Sequence, residues 1–119
     1  MNRINIKEKF NLFNEQWTPK IIAELNDSYV KIAKIKGEFT WHKHEMEDEM
    51  FFVVCGKMDM NFRDKIVELK EGEMIVVPKG VEHMPSCEEE VQIMMIEKKT
   101  TLNTGDVVNE KTKNELEWI

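Results

Sequence analysis

Three histidines, His42, His44 and His83, are the whole imidazole supply of this 119-residue chain, and they fall in two short segments that also carry Glu49. In His42-Lys43-His44 the two rings project to one side of an extended strand, because side-chain direction repeats every two residues. Glu49 follows five residues after His44 and opens the apolar run ending at Cys55. A turn at Glu45 to Asp48 would send that run back antiparallel and bring its carboxylate beside the two rings. His83, just beyond the turn Pro78-Lys79-Gly80, supplies a fourth donor. Three neutral imidazoles and one carboxylate suit a divalent transition metal such as Fe, Mn, Zn, Ni or Cu, whereas Mg and Ca prefer oxygen shells. His42, His44, Glu49 and His83 are therefore the expected metal ligands. No residue is marked by the sequence as a catalytic proton donor or acceptor.

Such a site needs rigid elements from distant parts of the chain. Ile6, Phe10, Phe13 and Trp17 are spaced three or four apart and predict one apolar stripe on a short N-terminal helix that ends before Pro19. Beyond Pro19 the apolar period shortens to two. Strands are expected at Lys20–Leu25, Tyr29–Ile35, Glu49–Cys55, Met58–Phe62, Ile66–Leu69, Met74–Val77 and Val91–Glu97, with Lys36-Gly37 breaking the second. Many short strands joined by tight turns point to an all-β chain, a small barrel or jelly roll in which ligands on neighbouring strands face a common interior. Residues 1–19 are read as a helical extension, 20–98 as the barrel, and 99–119 as a tail packing on the barrel or on a partner.

In the Glu49 to Cys55 strand Phe51 and Val53 share the parity of Glu49, while Met50, Phe52 and Val54 face the other way. Both faces are apolar, so the second needs a cover, and a homodimer is expected. Six of the nine methionines lie in these strands as core filling. Cys55 is expected to be buried, and Cys87, four residues beyond His83, is near enough in sequence to reach the same cavity, with no direct role expected of it. The formal charge of -6 argues against a broad nucleic-acid footprint. No apolar run approaches a membrane span, and the first residues lack the apolar centre of a secretion signal, so the expected compartment is the cytoplasm.

The stretch from Gly37 to Gly56 resembles the first conserved motif of the cupin superfamily, and Gly72 to Cys87 resembles the second. The leading glycine stands one residue closer to the first histidine than is usual, and Cys87 takes the place of a common asparagine. The flanks are similar to small single-domain cupins of the mannose-6-phosphate isomerase-like kind. This resemblance implies a double-stranded β-helix, a jelly-roll barrel in form, and assigns the metal-ligand positions to His42, His44, Glu49 and His83. It further implies a metal-dependent enzyme, a dioxygenase or an isomerase, acting on a small polar organic substrate. A non-catalytic barrel that binds or senses a sugar-like ligand, and a barrel with a purely structural metal, are the alternatives. The fold does not choose among them.

Overall fold

One long strand organises the sheet in the computed structural model, which describes residues 1–119. It is β7 (His83–Lys98), and β2 (Ser28–Glu38) runs antiparallel along nearly all of it, from Ser28 opposite Lys98 to Glu38 opposite Ser86. The other edge of β7 is divided between two shorter strands. Its first part pairs with β4 (Lys57–Phe62), from Phe62 opposite His83 to Asp59 opposite Ser86. Its second part pairs with β3 (Glu49–Cys55), from Cys55 opposite Gln92 to Glu49 opposite Glu97. Each short strand brings an antiparallel partner of its own, β5 (Ile66–Lys70) on β4 and β6 (Met74–Val77) on β3. On the far side β1 (Lys20–Leu25) pairs with β2, and the two-residue β8 (Glu117–Trp118) adds to β1 in parallel.

The expected closed jelly-roll barrel does not form. The hydrogen-bonded path runs β5-β4-β7-β2-β1-β8 with β3 and β6 branching from β7, and its ends do not pair. The reason lies in the length of β7. Sixteen residues at about 3.3 Å each give an edge long enough for two partners end to end, so the sheet forks instead of curling round to meet itself. The outer strands β5 and β6 are not paired with each other, and the edge of β1 away from β2 carries only β8. The architecture is an open, branched β-sheet with one short helix, not a double-stranded β-helix barrel.

Two strands also outrun their expected ends. Gly37 adopts φ +79° and a bulge between Ile35 and Gly37 absorbs the irregularity, so β2 continues to Glu38. Strand β7 begins at His83 rather than Val91, through Pro85 and the acidic run Glu88-Glu89-Glu90. The N-terminal helix is shorter than the apolar stripe suggested. Helix α1 spans Ile6–Phe10, capped by the Asn5 side chain, which accepts from the Glu8 amide. Phe13 reaches the core from beyond the helix, and Trp17 turns at φ +57° to stack on Phe39 with ring centroids 4.8 Å apart.

Two apolar clusters result. The main one joins Ala33, Ile35, Phe51, Val53, Val77, Val91, Ile93 and Met95 with Met58, Met60 and Leu69. The second packs Phe10 and Phe13 on Ile22 and Ile32, with Val54 and Met94 against it, so the helix covers part of the outer face of β3 and β7. The rest of that face stays open: Met74 and Val76 are exposed, in register with half-buried Phe52 and Met50. The alternation of β3 is as its sequence pattern requires, with Glu49, Phe51 and Val53 buried and the intervening residues half-buried. No helix is long and apolar enough to cross a membrane.

Candidate metal centre

The segment between β2 and β3 carries two of the expected ligands and has no strand of its own. It is tied to the start of β7 at two of these residues themselves: the His42 amide donates to the His83 carbonyl at 3.0 Å, and the His83 amide to the His42 carbonyl at 2.9 Å. The Gly80 amide donates to the His44 carbonyl at 2.7 Å, and the Lys79 amide to Asp48 Oδ1 at 2.9 Å, which fixes the Pro78–Gly80 turn against the approach to β3. The expected pairing of the His42–His44 segment with β3 is absent. Glu49 is instead placed by the ladders of β3 to β6 and β7, opposite Val77 on one side and Glu97 on the other.

All four expected residues come together and all are buried, with one donor atom from each lying within 4.8 Å of every other. Ring centroids are 4.4 Å apart for His42 and His83, 5.0 Å for His42 and His44, and 5.7 Å for His44 and His83. The Nδ1 of His42 lies 2.7 Å from the Thr40 carbonyl and that of His83 lies 2.9 Å from the Val81 carbonyl, so each Nδ1–H donates and Nε2 is left as the free lone pair. Glu49 Oε1 sits 3.0 Å from His44 Nε2 and 3.1 Å from His83 Nε2. The His44 contact is close but misdirected for a hydrogen bond, leaving its buried Nε2 without a partner. Adjacent donors on a first-row ion, with bonds of about 2.1 Å at right angles, stand about 3.0 Å apart. The two Glu49 contacts match that spacing, and the donor set suits such an ion.

Electrostatics favour the ligating protonation states. Burial, aided by the neighbouring His83, lowers the His42 pKa to about 4 and keeps its ring neutral. For Glu49 burial works against the charge, but the neighbouring Glu97, His44 and His83 side chains outweigh it and hold its carboxyl well below the usual range. A neutral imidazole beside an ionised carboxylate is the form that accepts a cation.

Behind Glu49 lies a feature the sequence reading missed. Lys31 Nζ meets Glu97 Oε1 at 2.7 Å, both side chains 2% exposed, while Glu97 Oε2 has no partner. Burial and the charge of Glu49 push the Glu97 carboxyl well above its ordinary value, against the pull of Lys31. The parity of β7 carried this information, because Val91, Ile93, Met95 and Glu97 all face inward. A carboxylate on an apolar parity is rarely idle.

Beside His42 is a cavity of about 40 Å³ walled by Trp17, Phe39, Phe51, Ile93 and Met95, with Asn103 from the tail at its edge. No lysine or arginine lines it. Lys43 pairs with Glu45, and Arg63 pairs with Glu82 at 2.5 Å and stacks 3.8 Å over Trp41. Cys87 does not line this cavity; it belongs to a separate acidic groove with Lys57, Asp59 and Glu88, its thiol 3.4 Å from the Ile35 carbonyl. Cys55, expected to be buried, is exposed at the end of β3.

The chain is similar to proteins of known sequence and structure. A crystal structure of a cupin-2 domain containing protein from Shewanella frigidimarina is similar at 50% identity and a TM-score of 0.80, over 81% of this chain and 94% of that one. A crystal structure of a Neisseria meningitidis protein is similar at 34% identity and a TM-score of 0.75, over 82% of this chain and all of the other. The uncharacterized Bacillus subtilis protein YdbB is 37% identical over 79 residues, 66% of this chain and 64% of its own length, so the match spans less than two thirds of that relative. Residues 28–97, the stretch that carries all four clustered side chains, match the family described as Cupin domain, and the chain belongs to the cupin superfamily.

Proposed function

We propose that this chain is a metal-dependent cupin enzyme in which His42, His44, Glu49 and His83 hold one divalent transition-metal ion. The observation that carries the reading is the buried convergence of three imidazoles on one carboxylate oxygen, with His44 Nε2 left without a hydrogen bond. A bound ion supplies Lewis-acid polarisation of a substrate oxygen, or access to dioxygen chemistry where the ion is iron. The protein's part is to keep the His42 ring neutral, to offset the ion's charge with Glu49, and to exclude water with the apolar wall of Phe39, Phe51, Ile93 and Met95.

That wall bears on the substrate. A phosphorylated sugar needs cations to meet its phosphate, and the cavity offers none, so the mannose-6-phosphate isomerase-like reading gains no support from it. A small uncharged molecule with an apolar face, or dioxygen itself, suits the cavity better. The open apolar strip of Met74, Val76, Met50 and Phe52 favours a second copy of the chain as its cover, and a homodimer completes the proposal.

Elemental analysis of the untagged protein tests the metal reading. Close to one transition-metal ion per chain is expected in the native protein, and far less in the His83→Ala variant. An unchanged metal content in the folded variant refutes the assignment.

A further inference from the structure

The ligand segment has unusual support on the side away from β7. Both peptide groups of Lys43, the residue between the two ligand histidines, are taken by one residue of the C-terminal tail: the Lys43 amide donates to Asp106 Oδ1 at 2.9 Å, and the Asp106 amide donates to the Lys43 carbonyl at 3.0 Å. Gly105 comes closer still. A Cβ at this position, where φ is +57°, would lie 2.2 Å from the Lys43 carbonyl oxygen and 3.1 Å from His42 Cδ2. The tail is thus in direct backbone contact with the peptide that spaces the two ligands, and the edge of the His42 ring rests on it.

The tail is itself braced. Thr104 is fully buried and its hydroxyl meets that of Thr112 at 2.7 Å, while Asn103 donates to the Lys111 carbonyl and accepts from the Lys113 amide. Farther along, Asn109 donates to Thr40 Oγ1 and Lys111 Nζ to the Glu38 carbonyl, so the same loop also grips the residues just before His42. His42 is then fixed from two directions, by its Nδ1 bond to Thr40 and by Gly105 against its Cδ2 edge.

We propose that Gly105 and Asp106 are positioning residues of the metal centre, serving the Lys43 peptide as a strand partner would and thereby setting the separation and orientation of His42 and His44. The inference rests on the metal reading above. Partners that orient ligands without touching the metal change affinity by about 10- to 100-fold when removed. The acceptor atom at Asp106 carries the effect, since it meets a backbone amide and the Lys43 side chain plays no part in the bond.

The test is Co(II) titration of the metal-free protein, read by its visible absorption band and by competition with a chelator, for the native chain, Asp106→Ala and Asp106→Asn. Asp106 is exposed, so neither change disturbs the core. The alanine variant is expected to bind Co(II) at least about tenfold more weakly, with an altered band. The asparagine variant, which keeps the acceptor oxygen, is expected to retain native affinity and spectrum. A folded alanine variant with native affinity and band overturns the proposal, even if its urea midpoint falls, because the role is then structural only. An asparagine variant as weak as the alanine one overturns it too, since charge and not the bond would be responsible. If the native chain takes up no Co(II), the metal reading itself fails and this inference falls with it.

Discussion

His42 makes the metal-free protein sensitive to mild acid. Burial, with His83 adding to it, lowers its pKa to about 4 in the folded chain, against an ordinary value of 6.5. Below about pH 6.5 the unfolded chain takes up a proton that the folded chain refuses, so stability is lost as the pH falls, and the loss levels off once the folded ring also protonates near pH 4. One pKa unit corresponds to about 1.4 kcal/mol, so the gap amounts to about 2 kcal/mol at pH 5 and about 3 kcal/mol at pH 4. Glu97 contributes with the opposite sign. Its folded pKa is raised, so its share of stability is present at low pH and lost as the pH rises. A comparison between native protein and His42→Gln removes that term, because both chains keep Glu97. Urea denaturation of chelator-treated protein between pH 8 and pH 4 should show the native chain losing about 3 kcal/mol more than the variant over this range. Parallel stability curves for the two would refute the reasoning.

Three further changes probe other parts of the structure. Lys31→Met leaves the buried Glu97 without its cation and should cost about 3 kcal/mol by urea denaturation, at the low end for a broken buried pair because Glu97 can take up a proton; adding Glu97→Gln should recover much of it, and an additive double mutant contradicts the pairing. Gly105→Ala combines a left-handed backbone cost of about 1–2 kcal/mol with the loss of two hydrogen bonds of about 1 kcal/mol each, so thermal unfolding should show a loss of about 3 kcal/mol, and a neutral change is the refuting result. Val76→Lys places a charge in the open apolar strip and should convert a sedimenting dimer into a monomer; a native chain that already sediments as a monomer removes the dimer proposal.

The four residues that cluster were legible because the expectation depends on residue type, and this chain holds only three histidines. The strands were legible where apolar alternation was clean, as in β3, whose two parities bury as expected. What escaped the sequence was long-range. Alternation says which residues face inward but not which edges meet, so nothing announced that β7 would carry β4 and β3 in series and leave the sheet open. The beginning of β7 was hidden by its composition, since Pro85 and three glutamates read as loop until the neighbours supply the hydrogen bonds. The helix was overextended because Phe13 and Trp17 reach the core by an irregular path that mimics helical spacing. Asp106 acts on the Lys43 backbone, and a backbone partner leaves no mark in sequence.

The position of β7 also governs how the chain matures during synthesis. Residues 83–98 are the shared partner of β2, β3 and β4, yet they leave the ribosome after all three. Until then only the antiparallel pairs β1 with β2, β4 with β5 and β3 with β6 are available to the nascent polypeptide, each with an edge and an apolar face uncovered. The central pairings of the sheet cannot form before this common strand is made, and His83 at its leading end reaches His42, His44 and Glu49 only with it. The four-residue cluster is therefore incomplete until β7 has been made, and no nascent chain lacking β7 brings all four side chains together.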